Sequence, residues 1–473
     1  MLPTNLKFQN KVESANANAY TSNIAPQNGT GPYAQGQTII INVPTRQNLC
    51  LIGSESVLKF AVAVTPGANA QFVRLDRAGA SSFIQRVRLF SGSNLLEDVD
   101  NYMLAADLIS LQKSNGSVRG KYNISNGTRI EDMVSLNLVT NANAVTAPAG
   151  VLWNLSGQAY IAPGGEKLVT TTEMAIVTNA AGSVPRTYAI TLISILGSLG
   201  AQYVPLFAMT SSPLRLEIQL VSNANMACCS PQALTSFAIT NVEYVASFLE
   251  LSDSAMEIIH NSLGGQPLQY VIPSFRNYVY TYALPVASTQ VNVPIAAKFS
   301  SLKSLFGTMR DTANTAATFF PLSTCHYNLS SYNLRIGSKI IPAKAPSTIP
   351  EFFVEACKAI GSVSDINHCP TMNMYSYAKN GINAPNVETA TVFSTTSISN
   401  NFMIGVDMEV YANSTKDAIY SGYNSTTDDI FCQMQFGGLA NFGNAAIPSL
   451  RFDFFALYDS LLICENSTAL IKF

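Results

Sequence analysis

The chain has 473 residues, of which 47% are hydrophobic and only 12% are charged, and its formal net charge is -2. A globular protein usually has ~25% charged residues. The apolar content excludes intrinsic disorder, and the scarcity of Lys and Glu excludes a coiled coil. The 27 basic and 29 acidic residues give no overall positive field for binding nucleic acid. The surface is therefore mostly neutral and polar, which suits either a protein packed against copies of itself or a secreted β-rich protein.

The N-terminal part is predicted to be an arm followed by strands. Residues 1–35 show no periodic pattern, and the start of the chain lacks the apolar run of a secretory signal. The first strands are predicted over Gln37–Val43, Val57–Val64 and Phe83–Phe90, and the last of these alternates apolar and polar residues as a half-buried strand does.

A helix is predicted soon after the third strand. The turn Ser91–Asn94 reverses the chain, and either Asp98 or Asp100 is placed to cap a helix through Met103 and Leu108.

The longest uncharged apolar stretch is Thr187–Leu214. Gly197, Gly200 and Pro205 interrupt it, so we predict two buried strands there rather than a transmembrane helix.

A second helix is predicted to connect two β domains. The segment Ser254–Glu257 fits a capping box, and Gly264 and Gly265 end the helix. Strands resume at Gln269–Ile272 and Tyr278–Leu284.

The two halves of the chain repeat one pattern. A strand runs into a Gly-Ser turn, a second strand and a helix, first from Phe90 and again from Arg335. Gly92 and Gly337 of these turns lie 245 positions apart, and Thr348 caps the second helix. A weaker match joins Leu214–Ile218 to Leu450–Phe454, 236 positions further on. The repeated order predicts a duplicated β-sandwich.

The predicted fold is all-β, with two tandem eight-stranded jelly-roll β-sandwiches and short helices in the loops and the connector. The predicted divisions are an N-terminal arm at 1–35, a first jelly roll at 36–251, a helical connector at 252–266 and a second jelly roll at 267–473.

Several segments resemble double jelly-roll major capsid proteins of tailless icosahedral viruses. They are Phe90–Tyr102, Tyr203–Met209, Pro213–Ile218 and Phe248–Met256. The resemblance covers the order of elements over about 37–473. It implies a structural protein whose homotrimers form pseudo-hexameric capsomers and tile a virion shell, after synthesis in the host cytoplasm. Its implied partners are its own copies, with minor capsid or penton proteins and an internal membrane as further candidates.

No enzyme chemistry is predicted. The chain has no Gly-x-Ser-x-Gly elbow, P-loop or His-Glu-x-x-His motif, and it has only three histidines. The acid pairs Glu97–Asp98 and Asp428–Asp429 are interpreted as exposed loop or capping residues, and His260 as a residue near a helix C-terminus. We therefore predict no catalytic, cofactor-binding or metal-binding residue, and no cofactor.

The cysteines are interpreted as buried free thiols, typical of folding in a reducing cytoplasm. None forms a Cys-x-x-Cys motif. The neighbours Cys325–His326 and His368–Cys369 place their side chains on opposite faces of a strand, so each pair offers at most one metal ligand. The cysteines are Cys50, Cys228, Cys229, Cys325, Cys357, Cys369, Cys432 and Cys464.

The densest basic group is Arg74, Arg77, Arg86 and Arg88. Its predicted contact is a carboxylate of a partner subunit rather than phosphate or lipid, and no sequence-specific nucleic acid is expected. Two polar stretches, 375–399 and 413–429, are candidate outer loops.

Two other functions fit a tandem β-sandwich. A secreted or surface binding module, like a lectin or adhesin, would carry disulfides. A hydrolase would need clustered carboxylates or histidines.

Overall fold

The computed structural model describes residues 17–66, 74–75, 77–112, 121–127, 151–153, 159–161, 178–179, 182–183, 185–199, 203–229, 234–311, 322–360, 372, 377–378, 400–410, 422–438 and 447–472. In the first half the strands are β1 Ala17–Ile24, β2 Tyr33–Ala34, β3 Thr38–Asn42, β4 Leu49–Pro66, β5 Arg74–Leu75, β6 Ile84–Ser91, β7 Asn94–Asp100, β8 Val151–Trp153, β9 Ala159–Ile161, β10 Thr178–Asn179, β11 Gly182–Ser183, β12 Arg186–Ile190, β13 Leu214–Leu220, β14 Cys228–Cys229 and β15 Leu234–Leu251.

The second half contributes β16 Leu268–Leu284, β17 Thr289–Ile295, β18 Leu302–Asp311, β19 Leu329–Ile336, β20 Lys339–Ile341, β21 Ile404–Asp407, β22 Ile430–Phe436, β23 Ile447–Glu465 and β24 Thr468–Lys472. The α-helices are α1 Tyr102–Leu111, α2 Asn123–Asn126, α3 Asp253–Leu263 and α4 Ile349–Ala359.

The main strands form two β-sandwiches with the same topology. In sandwich 1 the sheets have the orders β1-β15-β4-β12 and β3-β13-β6-β7, and in sandwich 2 they have the orders β16-β23-β18-β21 and β17-β22-β19-β20. The eight main strands of each sandwich can be numbered in chain order. Strands with the same number then have the same neighbouring strands in both sandwiches. The prediction of two tandem eight-stranded jelly rolls is therefore confirmed.

Alternating side chains explain why each sheet has one buried face. In β13 the apolar residues of Leu214–Leu220 point inward, and the polar residues between them are only half-buried. The matching strand β22, Ile430–Phe436, has the same alternation. Because successive side chains of a strand point to opposite faces, this pattern places one face of each sheet in the core. Aromatic pairs fill that core, such as Phe83 with Phe237 in sandwich 1 and Phe306 with Phe455 in sandwich 2.

The Gly-Ser turns occupy equivalent positions, as predicted. Gly92 lies between β6 and β7 with a φ of 57°, and Gly337 lies between β19 and β20 with a φ of 55°. The weaker match was wrong, because Leu214–Ile218 lies in β13 whereas Leu450–Phe454 lies in β23, which corresponds to β15. The two segments look alike because each has an Arg and an acid two residues apart on one face, and these residues form ion pairs in both strands.

The helices are present, but two of the three predicted caps lie elsewhere. Helix α1 begins after Asn101, which adopts the left-handed conformation, and not after Asp98 or Asp100. In α3 the cap is Ser252, whose hydroxyl accepts a hydrogen bond from the Ala255 N–H, so the box proposed at Ser254 is wrong. The capping box of Thr348 at the start of α4 is confirmed.

The predicted arm is wrong for residues 17–24, which form β1 and pair with β15 along their whole length. Strand β1 was missed because it is an edge strand whose residues are mostly exposed, so it carries no apolar alternation. Residues 1–16 lie outside the described part of the chain.

The predicted pair of buried strands in the apolar stretch 187–214 is also only partly right. Strand β12 ends at Ile190, and residues 191–199 form a buried loop. This segment turns tightly at Gly197, where a Cβ atom would collide with the carbonyl of Leu192.

We predict that Gly92→Ala and Gly337→Ala each lower stability by ~1 kcal/mol, because a side chain in the left-handed region is strained. Differential scanning calorimetry should show a fall in melting temperature of about 1–2 °C for each, because a chain of this length has a large unfolding entropy. Gly337→Asn should cost less, since Asn tolerates this conformation. Melting equal to wild type for both alanine variants would contradict the strain, and a fall for only one of them would contradict the equivalence of the two turns.

Candidate functional site: the junction between the sandwiches

The two sandwiches meet along the edge of one sheet in each. Strand β7 of sandwich 1 lies against β16 and β24 of sandwich 2. The Ala469 N–H donates to Ser91 Oγ over 3.2 Å, and Asn94 Nδ2 donates to the Ala469 carbonyl over 3.3 Å. Strand β24 pairs with β23 through its backbone, so it fastens sandwich 2 to the β6–β7 hairpin.

Asp453 is the centre of the junction. Its carboxylate is fully buried on β23 and accepts hydrogen bonds from Arg451 and Arg310 of sandwich 2, the latter over 3.0 Å. Asn101 of sandwich 1 donates its Nδ2 to the same carboxylate over 2.9 Å. A buried charge is tolerated only when it is paired and hydrogen-bonded, and here one of the donors comes from the other sandwich.

A second buried contact joins the sandwiches at Arg77. Its guanidinium forms two hydrogen bonds with Asp107 of α1, over 2.9 and 2.8 Å, and both side chains are almost fully buried. The same guanidinium donates to the carbonyl of Asn400 in sandwich 2 over 3.0 and 3.1 Å. The fixed fork of Arg makes such a contact directional. The two buried clusters therefore fix the orientation of one sandwich relative to the other.

These residues were not identified from the sequence as an interface. A weak signal was present, since Asp107 is the one charged residue in the apolar helix Tyr102–Leu111, and Asp453 stands among three phenylalanines. A carboxylate in such surroundings is expected to have a specific partner.

Three arginines of the predicted basic group form ion pairs within the chain. Arg86 pairs with Asp98 over 2.6 Å, and Arg88 pairs with Glu217 over 2.9 Å, all within sandwich 1. Arg77 lies in the junction. The three arginines thus pair with acids of the same chain, on neighbouring strands for Arg86 and Arg88 and on α1 for Arg77, and contact with a partner's carboxylate stays a prediction. The side chain of Arg74 lies outside the described part.

Glu97 was predicted to be exposed, and this is wrong. The pairing of β6 with β7 shifts in register between Leu89 and Phe90. Next to this shift, the side chain of Glu97 lies inside sandwich 1 and is 2% exposed. Its carboxylate accepts hydrogen bonds from the Ser194 hydroxyl and from the Ile195 N–H, the latter over 3.0 Å. Burial raises the pKa of Glu97 to about 7. Glu97 thus holds the buried loop 191–199 in place.

The other acid pair is as predicted. Asp429 is exposed and forms an ion pair with Lys298 over 2.8 Å, and Asp428 accepts a hydrogen bond from the Tyr423 hydroxyl. His260 lies exposed in the last turn of α3, also as predicted.

His326 and the described cysteines are parts of the core. His326 packs near Phe402, and burial lowers its pKa to about 4. Burial also raises the pKa of the Cys50 thiol to about 11. The free, buried cysteines are Cys50, Cys325, Cys357, Cys432 and Cys464. His368, Cys369 and the side chains of Cys228 and Cys229 lie outside the description.

Within the described ranges, no group of three His, Cys, Asp or Glu residues could hold a metal ion. In those same ranges, no helix has both the length and the apolarity to cross a membrane. The candidate outer loop 375–399 lies outside the description apart from residues 377–378, and only 422–429 of the loop 413–429 is described.

Comparison with solved structures identifies the fold. The chain is similar to a quasi-atomic model of the PBCV-1 virus capsid, with a TM-score of 0.58 and 11% identity over 99% of this chain and 100% of that chain. For the Faustovirus major capsid protein the TM-score is 0.53, with 10% identity over 97% and 92%. For the mavirus major capsid protein it is 0.51, with 10% identity over 100% and 93%. No protein-family model and no curated protein matches the chain.

The fold is therefore the double jelly roll found in these viral capsid proteins. The resemblance predicted from the sequence is confirmed at the level of the fold.

We predict that Arg77→Met destabilises the protein by about 3–5 kcal/mol, because it removes the guanidinium that forms two hydrogen bonds with the buried Asp107 carboxylate. The double variant Arg77→Met, Asp107→Leu should recover most of the loss. Urea unfolding, followed by tryptophan and tyrosine fluorescence, measures the free energy of unfolding of the single and the double variant. The control is Lys298→Met, which removes the ion pair with the exposed Asp429. This variant should change the free energy of unfolding by less than about 1 kcal/mol. Equal losses in the single and double variants would contradict this account.

Glu97 should make the protein less stable as pH rises. Its folded pKa of about 7 exceeds the ordinary value of 4.5, so its stabilising contribution is complete below pH ~4.5 and is lost as pH rises through ~7. Glu97→Gln should therefore gain stability relative to wild type at pH 8, on the order of 3 kcal/mol, but not at pH 4.5. Melting curves between pH 4.5 and pH 8 measure the difference in stability between Glu97→Gln and wild type. A difference that does not change with pH would exclude Glu97 as the source of the pH dependence.

Proposed function

We propose that this chain is the structural major capsid protein of an icosahedral virus, and that three copies form a capsomer with a pseudo-hexagonal outline. The observation that carries the proposal is the repeated strand order, β1-β15-β4-β12 with β3-β13-β6-β7 and its copy in sandwich 2. Three chains with two similar sandwiches each supply six similar units around one axis, so a trimer can tile a surface as a hexagon does.

The junction supports this proposal because it makes the pair of sandwiches one rigid unit. Buried ionic contacts at Asp453 and Arg77 orient the two sandwiches. A tile needs such a fixed shape, since a flexible link between the sandwiches would leave the outline of the trimer undefined.

The low charge also supports self-assembly. Only 12% of the residues are charged, and obligate interfaces are depleted in charged residues. The structural role proposed here includes no enzymatic activity. The free buried thiols described above fit folding in the host cytoplasm better than a secreted binding module stapled by disulfides. The proposed location is the virion.

Further partners are proposed from the resemblance alone. They are neighbouring capsomers, minor capsid or penton proteins and an internal membrane. The basic residues Lys7 and Lys11 would be suited to such a membrane or to a neighbouring capsomer, and they lie outside the described part of the chain.

The mass of the purified protein in solution tests the proposal. We expect sedimentation equilibrium to give three chains per particle, and electron microscopy to show closed shells under assembly conditions. A protein that stays monomeric at high concentration and forms no shells would contradict the proposed function.

A further inference from the structure

The loop 191–199 is buried although it belongs to neither sheet of sandwich 1. Residues 192–197 are buried, and apart from Ser194 and Gly197 they are leucine or isoleucine. A Cβ atom at Gly53 of β4 would collide with the carbonyl of Ile195. The loop is therefore packed directly on the backbone of sandwich 1.

Three buried side chains from three different elements hold this loop. Tyr102 of α1 accepts a hydrogen bond from the Ile193 N–H over 2.9 Å, and Tyr244 of β15 donates to the Leu196 carbonyl over 2.7 Å. Glu97 of β7 binds the two residues between them. Burial raises the pKa of both phenols, so Glu97 is the one of the three that changes charge near neutral pH.

Glu97 has no cation to compensate it when it is ionised. Within the described part of the chain, no basic side chain pairs with its carboxyl. Asp98, the next residue of β7, points to the other face of the sheet and pairs with Arg86. The titratable groups of other elements that interact with Glu97 are phenols, which are neutral near pH 7. They are Tyr102 of α1, Tyr270 of β16 and Tyr458 of β23. Because a buried carboxylate without a cation is strongly disfavoured, ionisation of Glu97 favours any movement that brings it to water.

Glu97 also lies beside the junction between the sandwiches. Tyr270 belongs to sandwich 2, and its pKa is raised by burial and then by Cys464, Glu97 and Cys50. The Tyr270 hydroxyl is buried and has no hydrogen-bond partner among the described residues. The boundary therefore contains polar groups of both sandwiches that water can solvate once it enters.

The chain beyond the loop leads to sandwich 2. Val204 exchanges two backbone hydrogen bonds with Leu51 of β4, each over 2.9 Å. The short 3-10 helix Leu206–Met209 follows and contacts β23 and β24 of sandwich 2. The stretch of chain from 191 to 209 therefore touches both Glu97 and the second sandwich.

We propose that Glu97 is a proton-controlled latch between the two sandwiches. With its proton, the carboxyl keeps the loop 191–199 closed. When Glu97 loses the proton, the loop opens, water reaches the carboxylate, and the contact of Leu206–Met209 with sandwich 2 loosens. The latch acts within a single chain, so it does not depend on the proposed assembly.

The size of the response follows from proton linkage. Opening returns Glu97 to water, where its pKa has the ordinary value of 4.5, whereas in the closed loop burial raises its pKa to about 7. The raised pKa favours the closed loop at low pH and the open loop at high pH. The open fraction should therefore rise about tenfold between pH 6 and pH 8.

Hydrogen exchange followed by mass spectrometry tests the latch in the full chain. Protection factors, corrected for the intrinsic exchange rate at each pH, should fall about tenfold between pH 6 and pH 8 in peptides covering 191–199 and 204–209. In Glu97→Gln, whose side chain stays neutral, they should not change with pH. The control Glu55→Gln removes an exposed carboxylate of β4 in the same sandwich and should keep the wild-type response.

Urea distinguishes opening of the loop from unfolding of the whole chain. Exchange through a local opening depends weakly on urea because little surface is exposed, whereas exchange through global unfolding depends strongly on urea. We expect the amides of 191–199 to exchange faster than those of the core strand β22, and with the weaker urea dependence.

Three results would overturn the latch. Wild-type protection that is constant between pH 6 and pH 8, or that falls equally in Glu97→Gln, would exclude Glu97 as its source. Loop amides with the exchange rate and urea dependence of β22 would show that Glu97 affects global stability alone. A response in 191–199 without one in 204–209 would show that the movement does not reach sandwich 2.

The wild-type protein tests the latch even if Glu97→Gln does not fold. Its protection factors should fall as pH approaches the folded pKa of about 7 and level off above it. A curve that keeps falling with the same slope above pH 8 would assign the opening to a different group.

Discussion

The structure depends on the burial of one carboxylate between two sandwiches. Asp453 is fully buried and is satisfied by two arginines of its own sandwich and by Asn101 of the other. Separating the sandwiches would remove one of these donors and return the carboxylate to water. Because hydrogen bonds to a charged group are directional and strong, this contact selects one orientation of the pair. The Arg77–Asp107 cluster, which reaches the Asn400 carbonyl, holds a second point of the same boundary.

Such a boundary makes a duplicated fold asymmetric. Inside one chain, sandwich 1 offers its β7 side and sandwich 2 offers its β16 edge, and these cover each other. The two sandwiches therefore share one topology but use different edges of it at the junction.

Much of the fold was predictable because strand alternation and turn glycines are local signals. The strands now described as β3, β4 and β6, the equivalent turns at Gly92 and Gly337, and the cap at Thr348 were all predicted correctly. The errors arose where tertiary contacts, rather than the local sequence, determine the position of a strand or side chain. Strand β1 is an edge without apolar alternation, and the position of Glu97 depends on a register shift that no local pattern reveals.

The junction was harder to predict than the fold. The acids that pair with Arg86 and Arg88 lie on neighbouring strands, and such pairing follows from strand register rather than from sequence distance. The phenylalanines around Asp453 indicate a specific partner for its carboxylate, but not that one of its donors belongs to the other sandwich. A resemblance of element order could indicate the fold, but not which side chains join its two halves.

The proposed trimer requires the two sandwiches of one chain to be related by the rotation between neighbouring units of a six-unit ring. A cryo-electron microscopy structure of the purified particle measures this directly. We expect three chains around one axis, with rotations of about 60° both between sandwiches of one chain and between sandwiches of neighbouring chains. Clearly unequal rotations, or a particle without threefold symmetry, would contradict it.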